Sequence, residues 1–212
     1  MHFMKTVIWD FNGTIIDDLD LCLNAEKEML RRRHMFADYT REDYQKLFCF
    51  PVINYYYKIG YTFENETYED ISVEFNDLYD AGFDTCTLVD GFEELIEQSI
   101  RDGNRNVILS ASRHDALIDQ CHKLHIAHYF DEILGIDNAL AFSKIQMAEN
   151  WMANTDVTPE ECVYIGDTVH DKETADALGI KDCILVACGH QSYDVLKEKC
   201  ENVVHSLREV KL

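Results

Sequence analysis

Asp10, Ser110, Lys144, Asp167 and Asp171 are the side chains of this sequence whose types and places suit chemistry. Asp10 ends the apolar run Val7-Ile8-Trp9 and is followed by Phe11-Asn12-Gly13-Thr14. Ser110 follows Val107-Ile108-Leu109, and Lys144 follows Phe142-Ser143. Asp167 and Asp171 stand in Gly166-Asp167-Thr168-Val169-His170-Asp171, directly after Val163-Tyr164-Ile165. A carboxylate, a hydroxyl, an ammonium and two further carboxylates at the ends of apolar runs suit phosphoryl transfer, where a protein mostly positions groups and neutralises charge. Asp10 and Asp167 supply hard oxygen donors for Mg²⁺. Lys144 is a compact charge for one phosphate oxygen, Ser110 a hydrogen-bond donor for another, and Gly13 lets the backbone approach closely.

The elements that must position these groups follow from patterning. Lys5 to Asp10 reads as a buried strand, and the segments up to about Tyr79 read as successive helices, with Leu19, Leu23, Met29 and Leu30 at roughly helical spacing. From Gly91 onward the pattern alternates. Helices are expected at Phe92–Ile100, Asp115–Leu124, Lys144–Met152, Lys172–Leu178 and Tyr193–Lys199, and strands at Asn106–Leu109, Cys162–Ile165 and Cys183–Val186. Such alternation predicts an α/β fold, a doubly wound, Rossmann-like parallel sheet with helices on both faces. Its strand ends meet at one edge, where open α/β sheets bind ligands. The expected domains are a core of residues 1–16 and 84–212 and an inserted all-helical cap domain of residues 17–83, joined at Ile16-Asp17 and Ala81-Gly82-Phe83-Asp84 with Gly82 as hinge. Gly103 is read as a helix stop and Thr158-Pro159-Glu160-Glu161 as a capped turn.

Composition narrows the function class. A chain of 212 residues with 47% hydrophobic content builds its core without staples. The formal net charge of -21 argues against nucleic acid or an anionic membrane surface as partner, so an anionic substrate needs a local cation. No apolar run approaches the roughly 20 residues that cross a bilayer. The start runs straight into a strand with no signal-peptide core, so the eight cysteines are expected as free thiols in a cytoplasmic protein. Cys183, Cys188 and Cys200 lack the spacing of a zinc site.

Together the residues above resemble the four motifs of the haloacid dehalogenase superfamily, in order across nearly the whole chain. Asp10-Phe11-Asn12-Gly13-Thr14 resembles the first, Ser110 the second, Lys144 the third, and Gly166 to Asp171 the fourth. The helical insert resembles the cap of the phosphoglycolate phosphatase-like branch. Phe50-Pro51, Tyr55-Tyr56-Tyr57 and Ile59-Gly60 stand where that branch has a substrate-specificity loop, without its usual glycine near the proline. The resemblance implies Asp10 as a nucleophile that forms an aspartyl-phosphate. It also implies Asp10, Asp167 and the Asn12 backbone carbonyl on Mg²⁺, Ser110 and Lys144 on the phosphoryl group, and Asp171 supporting the metal or orienting the lysine. Two positions depart from the pattern. Ile145 follows Lys144 where many members have proline, and Asn12 replaces the aspartate that resembles a general acid and base.

An asparagine amide can donate a hydrogen bond but cannot exchange a proton near neutral pH. General acid-base catalysis contributes about 10²- to 10⁴-fold, so its loss leaves room for a slow enzyme, one that favours leaving groups departing as stable anions, such as aryl or acyl phosphates. Another acid, Asp17 or Asp18, is the alternative source of the proton, although solvated helix-start charges are the plainer reading of both. Asn12-Gly13 is also a sequence prone to deamidation.

Other conspicuous residues have plainer readings. His122, His125 and His128 spread around a helix and its end, which favours surface positions over a metal site. Arg31-Arg32-Arg33 fits a helix C-terminus. Arg113 and His114 are equally suited to substrate or surface, His170 is assigned no role, and the three tyrosines are read as cap core with one ring lining the cleft. The expectation is a Mg²⁺-dependent phosphatase acting on a small phosphorylated metabolite. A non-catalytic phosphate-ligand binder is the alternative. A dehalogenase, which needs no Mg²⁺, fits the acidic fourth motif less well.

Overall fold

The computed structural model describes residues 4–136 and 143–212. Strand β1 (Thr6–Trp9) is buried along its whole length, as an apolar run covered on both faces must be. It pairs in parallel with β4 (Arg105–Arg113) on one side and β6 (Cys162–Gly166) on the other. Strands β5 (Glu132–Ile136), β7 (Asp182–Val186) and β8 (Val203–Val204) complete a six-stranded parallel sheet of order β5-β4-β1-β6-β7-β8. The order changes direction at β1, which makes its carboxyl end the switch point where such sheets place ligands.

Alternation along the strands divides the core into two layers. Ile8, Val107, Leu109, Tyr164 and Leu185 point to one face, which is covered by helices α7 (Lys144–Ala153), α8 (Val169–Ala177) and α9 (Tyr193–Lys197). Val7, Trp9, Ile108, Ile165 and Val186 point to the other, against α5 (Phe92–Arg101) and α6 (His114–Lys123). Trp9 meets Phe92 edge to face at 5.7 Å, and burying a large side chain of this kind contributes about 1.5–3 kcal/mol.

The second layer continues into the helical insert, α1 (Leu19–Arg32), α2 (Arg41–Leu47), α3 (Val52–Lys58) and α4 (Tyr68–Gly82). Capping boxes at Thr40–Asp43 and Thr67–Asp70 start α2 and α4. Helix α1 buries Leu19, Cys22, Leu23, Met29 and Leu30 on one stripe, against α4. The chain enters and leaves the insert through an antiparallel ribbon of β2 (Ile16–Asp17) and β3 (Thr87–Leu88). Gly82 keeps a negative φ of -98°. A Cβ there would lie 2.3 Å from Leu21 Cδ1, so a larger residue would require the Leu21 side chain to move.

The helices and strands expected from Gly91 onward are present, with ends shifted by a few residues, and the short turn Pro159–Glu161 is capped by Thr158. The alternation did not show β5, the ribbon or β8. The first is a partly buried edge strand, and the others are too short to display a period of two. Among the described residues no helix is long and apolar enough to cross a membrane. All eight cysteines are free thiols. Phe142, which precedes the capping residue Ser143, lies outside the described residues.

Candidate active site

Register brings the candidate residues together. Trp9 pairs with Ile108 and with Ile165, so the chain just beyond those residues, at Asp10, Ser110 and Asp167, emerges at one edge of the sheet. The Asp10 amide still donates to Ile165 O at 2.8 Å. Beyond it the backbone turns tightly, with Ile15 and Ile16 amides on Phe11 O and the Gly13 amide on Ile16 O. Gly13 has φ +71°, and a Cβ there would lie 2.2 Å from Asp167 Oδ2. Both the backbone conformation and the neighbouring carboxylate therefore exclude a side chain.

Lys144, at the start of α7, is 4% exposed and reaches two carboxylates, Asp10 Oδ1 at 2.5 Å and Asp171 Oδ1 at 2.6 Å. Asp171 commits its other oxygen to the start of α8, accepting from the Asp167 and Thr168 amides and the Thr168 hydroxyl. Asp171 thus orients the lysine. Asp10, Asp167 and Asp171 are all buried, with oxygens within 4.8 Å of one another. One ammonium does not balance them. Burial and the Asp171 charge push Asp10 up to about 7, and burial with the Asp10 and Asp171 charges holds Asp167 well above the carboxylate range. Burial works against the Lys144 charge, but Asp10 and Asp171 outweigh it and keep the ammonium ionised. An oxygen-only donor set short of positive charge fits a hard divalent cation such as Mg²⁺. Ser110, 1% exposed, sits beside this cluster in the same cleft.

Asn12 is locked in place. Its Nδ2 donates to Asp18 Oδ2 at 2.8 Å and to Tyr79 Oη at 2.9 Å, while its Oδ1 accepts from Ser112 Oγ at 2.9 Å. Asp18 corrects the expectation of a solvated helix-start charge: it is 1% exposed. It stands at the cap position of α1 without capping it, because its carboxylate reaches back to the Gly13 amide, Asn12, Tyr79 and His190 Nε2. Burial alone would favour the neutral acid, but His190 and the donors around it hold Asp18 below the usual carboxylate range. Burial disfavours the His190 cation, yet Asp18 outweighs this and pushes its pKa up to about 9. Asp17, by contrast, is exposed and lies 3.7 Å from Arg41.

A cleft of about 450 Å³ opens above these groups, between the strand ends and the insert. Tyr56 is the ring of the tyrosine run that lines it, Tyr55 is buried against Glu26, and Tyr57 is exposed. Arg113 lies at the cleft with its guanidinium 2.5 Å from Asp115, and His170 stacks on Phe50 at 4.6 Å. Arg33 pairs with Glu66 and Glu74, and Arg32 with Glu28 and Glu74, away from the cleft. His122, His125 and His128 are exposed. Sequence patterning missed His190, Ser112, Tyr79 and Glu26. His190 carried a usable signal, since it stands in the short loop after β7, four residues past Val186. Glu26 carried another, as an acid on the apolar stripe of α1.

Solved structures share this fold. A predicted phosphatase from Clostridium acetobutylicum superposes with a TM-score of 0.78 at 20% identity, over 98% of this chain and 96% of that one. The haloacid dehalogenase-like hydrolase from Streptococcus pneumoniae gives 0.73 at 19% identity, over 97% and 96%. CbbY from Rhodobacter sphaeroides, in complex with xylulose-1,5-bisphosphate, gives 0.73 at 18% identity, over 98% and 96%. The comparison with curated proteins gives no match. The sequence profile of the haloacid dehalogenase-like hydrolases matches residues 7–185, and the chain belongs to that family.

Proposed function

We propose that this protein is a Mg²⁺-dependent phosphohydrolase that acts on a small phosphorylated substrate through an aspartyl-phosphate at Asp10. The observation that carries the reading is the pairing of Asp10 with Lys144 at 2.5 Å, in a buried cluster that also holds Asp167 and adjoins Ser110. Lys144 holds Asp10 Oδ1 and leaves Oδ2 to attack phosphorus, forming the Oδ2–P bond as the bond to the leaving oxygen breaks. Lys144 and the Ser110 hydroxyl hold phosphoryl oxygens during the transfer. Water then attacks the acyl phosphate, releasing phosphate and restoring the carboxylate. Asp10, Asp167 and the Asn12 backbone carbonyl would hold Mg²⁺, which supplies positive charge for the phosphoryl oxygens and for the ionised carboxylates. Asp171 supports this group by fixing Lys144.

Asn12 delivers no proton, so the leaving oxygen departs as an anion and aryl or acyl phosphates react faster than alkyl esters. The phosphatase description of a similar fold agrees with the phosphohydrolase reading. Phosphate release from p-nitrophenyl phosphate, measured with and without Mg²⁺, tests it. Release that requires Mg²⁺ and disappears in Asp10→Ala supports the enzyme. A thermal shift with Mg²⁺ and phosphate but no turnover would instead identify a binding protein.

A further inference from the structure

The cleft is rich in aromatic rings, and beyond Lys144 its cations are each matched or outnumbered by acids. Phe48, Phe50, Tyr56, Tyr68, Phe75 and Tyr79 line it. Among the described lining residues, every positive group already has an acidic partner. Lys144 is held by Asp10 and Asp171, Arg113 by Asp115, and His190 by Asp18. His170 lies 3.2 Å from Glu173. The same walls include Asp80, which together with Asp115 faces the single Arg113 guanidinium. A second phosphate or a carboxylate on the substrate would meet acids that outnumber this one guanidinium, and like-charge contact of this kind is a strong discriminator.

Gln120 adds an independent observation. Its side chain lines the cleft, the residue is 8% exposed, and Oε1 has no hydrogen-bond partner. A buried amide left unpaired is costly, and a polar substituent on a bound molecule would satisfy it. Aromatic walls favour a flat apolar ring, which gains by stacking and edge contacts.

Resting on the phosphohydrolase reading above, we infer that the substrate is a phosphate monoester of a phenol-type alcohol that carries no second negative charge. A neutral or cationic polar substituent on the ring completes the fit, with Gln120 as its hydrogen-bond partner and Asp80 favouring positive charge. The ring also answers the chemistry of Asn12. As the Asp10 Oδ2–P bond forms and the P–O(aryl) bond breaks, the electron pair leaves on a phenolate, which is stable without a donated proton and takes one from water afterwards.

Binding separates this inference from turnover. Benzylphosphonates cannot be hydrolysed at phosphorus, and para-methyl, para-aminomethyl and para-carboxymethyl forms differ mainly in remote charge. Calorimetry with Mg²⁺ present should show the methyl and aminomethyl compounds binding at least about tenfold more tightly than the carboxymethyl compound. Asp80→Lys should narrow that gap. Equal or tighter binding of the carboxymethyl compound, or no binding of the methyl compound, overturns the inference. The matching phenyl phosphates read the hydrolase separately. If the phosphonates bind in the expected order and no ester is hydrolysed, the ligand class stands and the enzyme reading falls. If esters are hydrolysed with the carboxymethyl form preferred, the enzyme stands and the ligand class falls.

Discussion

Asn12 Nδ2 donates to Asp18 Oδ2 at 2.8 Å, so the pocket around position 12 is complementary to an amide. An acid introduced there alone would set two buried carboxylates in contact. Exchanging the pair, Asn12→Asp with Asp18→Asn, keeps one amide and one carboxylate. The exchange should raise turnover of alkyl phosphate esters by up to about 10²- to 10⁴-fold, with a smaller gain for aryl esters, and by more than Asn12→Asp alone. Steady-state kinetics on one alkyl and one aryl ester decide it. An exchanged protein no faster than the parent on the alkyl ester removes proton delivery from the account of Asn12.

The same carboxylate protects Asn12 from deamidation. Succinimide formation needs the Gly13 nitrogen to attack the Asn12 side chain, and Asp18 holds both partners, accepting from Gly13 N at 3.0 Å. Asp18→Ala should therefore deamidate at Asn12 faster than the parent during incubation in mild alkali, as read by peptide mapping. Equal rates in the two proteins would mean that the turn, through Gly13 N on Ile16 O, protects the site unaided.

Lys144 neutralises two buried acids, and its removal strands both. Lys144→Met should lower unfolding free energy by about 3–5 kcal/mol, the usual effect of breaking a buried ion pair from one side. Urea titration measures this directly. A loss below about 1 kcal/mol, the range of a surface pair, would show that the cluster is solvated in solution.

Glu26 gives a stability signature of its own. It is 3% exposed, accepts from Tyr39 and Tyr55, and burial pushes its pKa from 4.5 up to about 7. Between those values the folded chain keeps a proton that the unfolded chain releases. The contribution is fully present below pH 4.5 and is lost as pH rises through 7, a change of about 3 kcal/mol. Glu26→Gln should flatten that slope and be the more stable protein at pH 8. Identical pH profiles for parent and variant would place the titration elsewhere.

Much of the candidate site was legible because Asp10, Ser110 and Asp167 each stand just past an apolar stretch of strand, even though β4 runs on through Ser110 to Arg113, and parallel strands deliver their ends to one edge. Lys144 was legible for its place at a helix start, which its capping box fixes. Asp18 was not, because an acid before an amphipathic helix looks like a solvated cap until the turn at Gly13 folds it back over Asn12. Ser112 and Tyr79 act through long-range contacts that no local spacing encodes. The ribbon β2–β3 escaped for a different reason, since two residues a side are held by pairing rather than by pattern.

The central claim is a phosphoryl group carried on Asp10, and rapid acid quenching during turnover of acetyl phosphate with Mg²⁺ tests it most directly. The account predicts a fraction of the protein heavier by one phosphoryl group, with the label on the peptide containing Asp10 and absent from Asp10→Asn. Steady release of phosphate by Asp10→Asn, or a phosphoryl group trapped on any other residue, would contradict it.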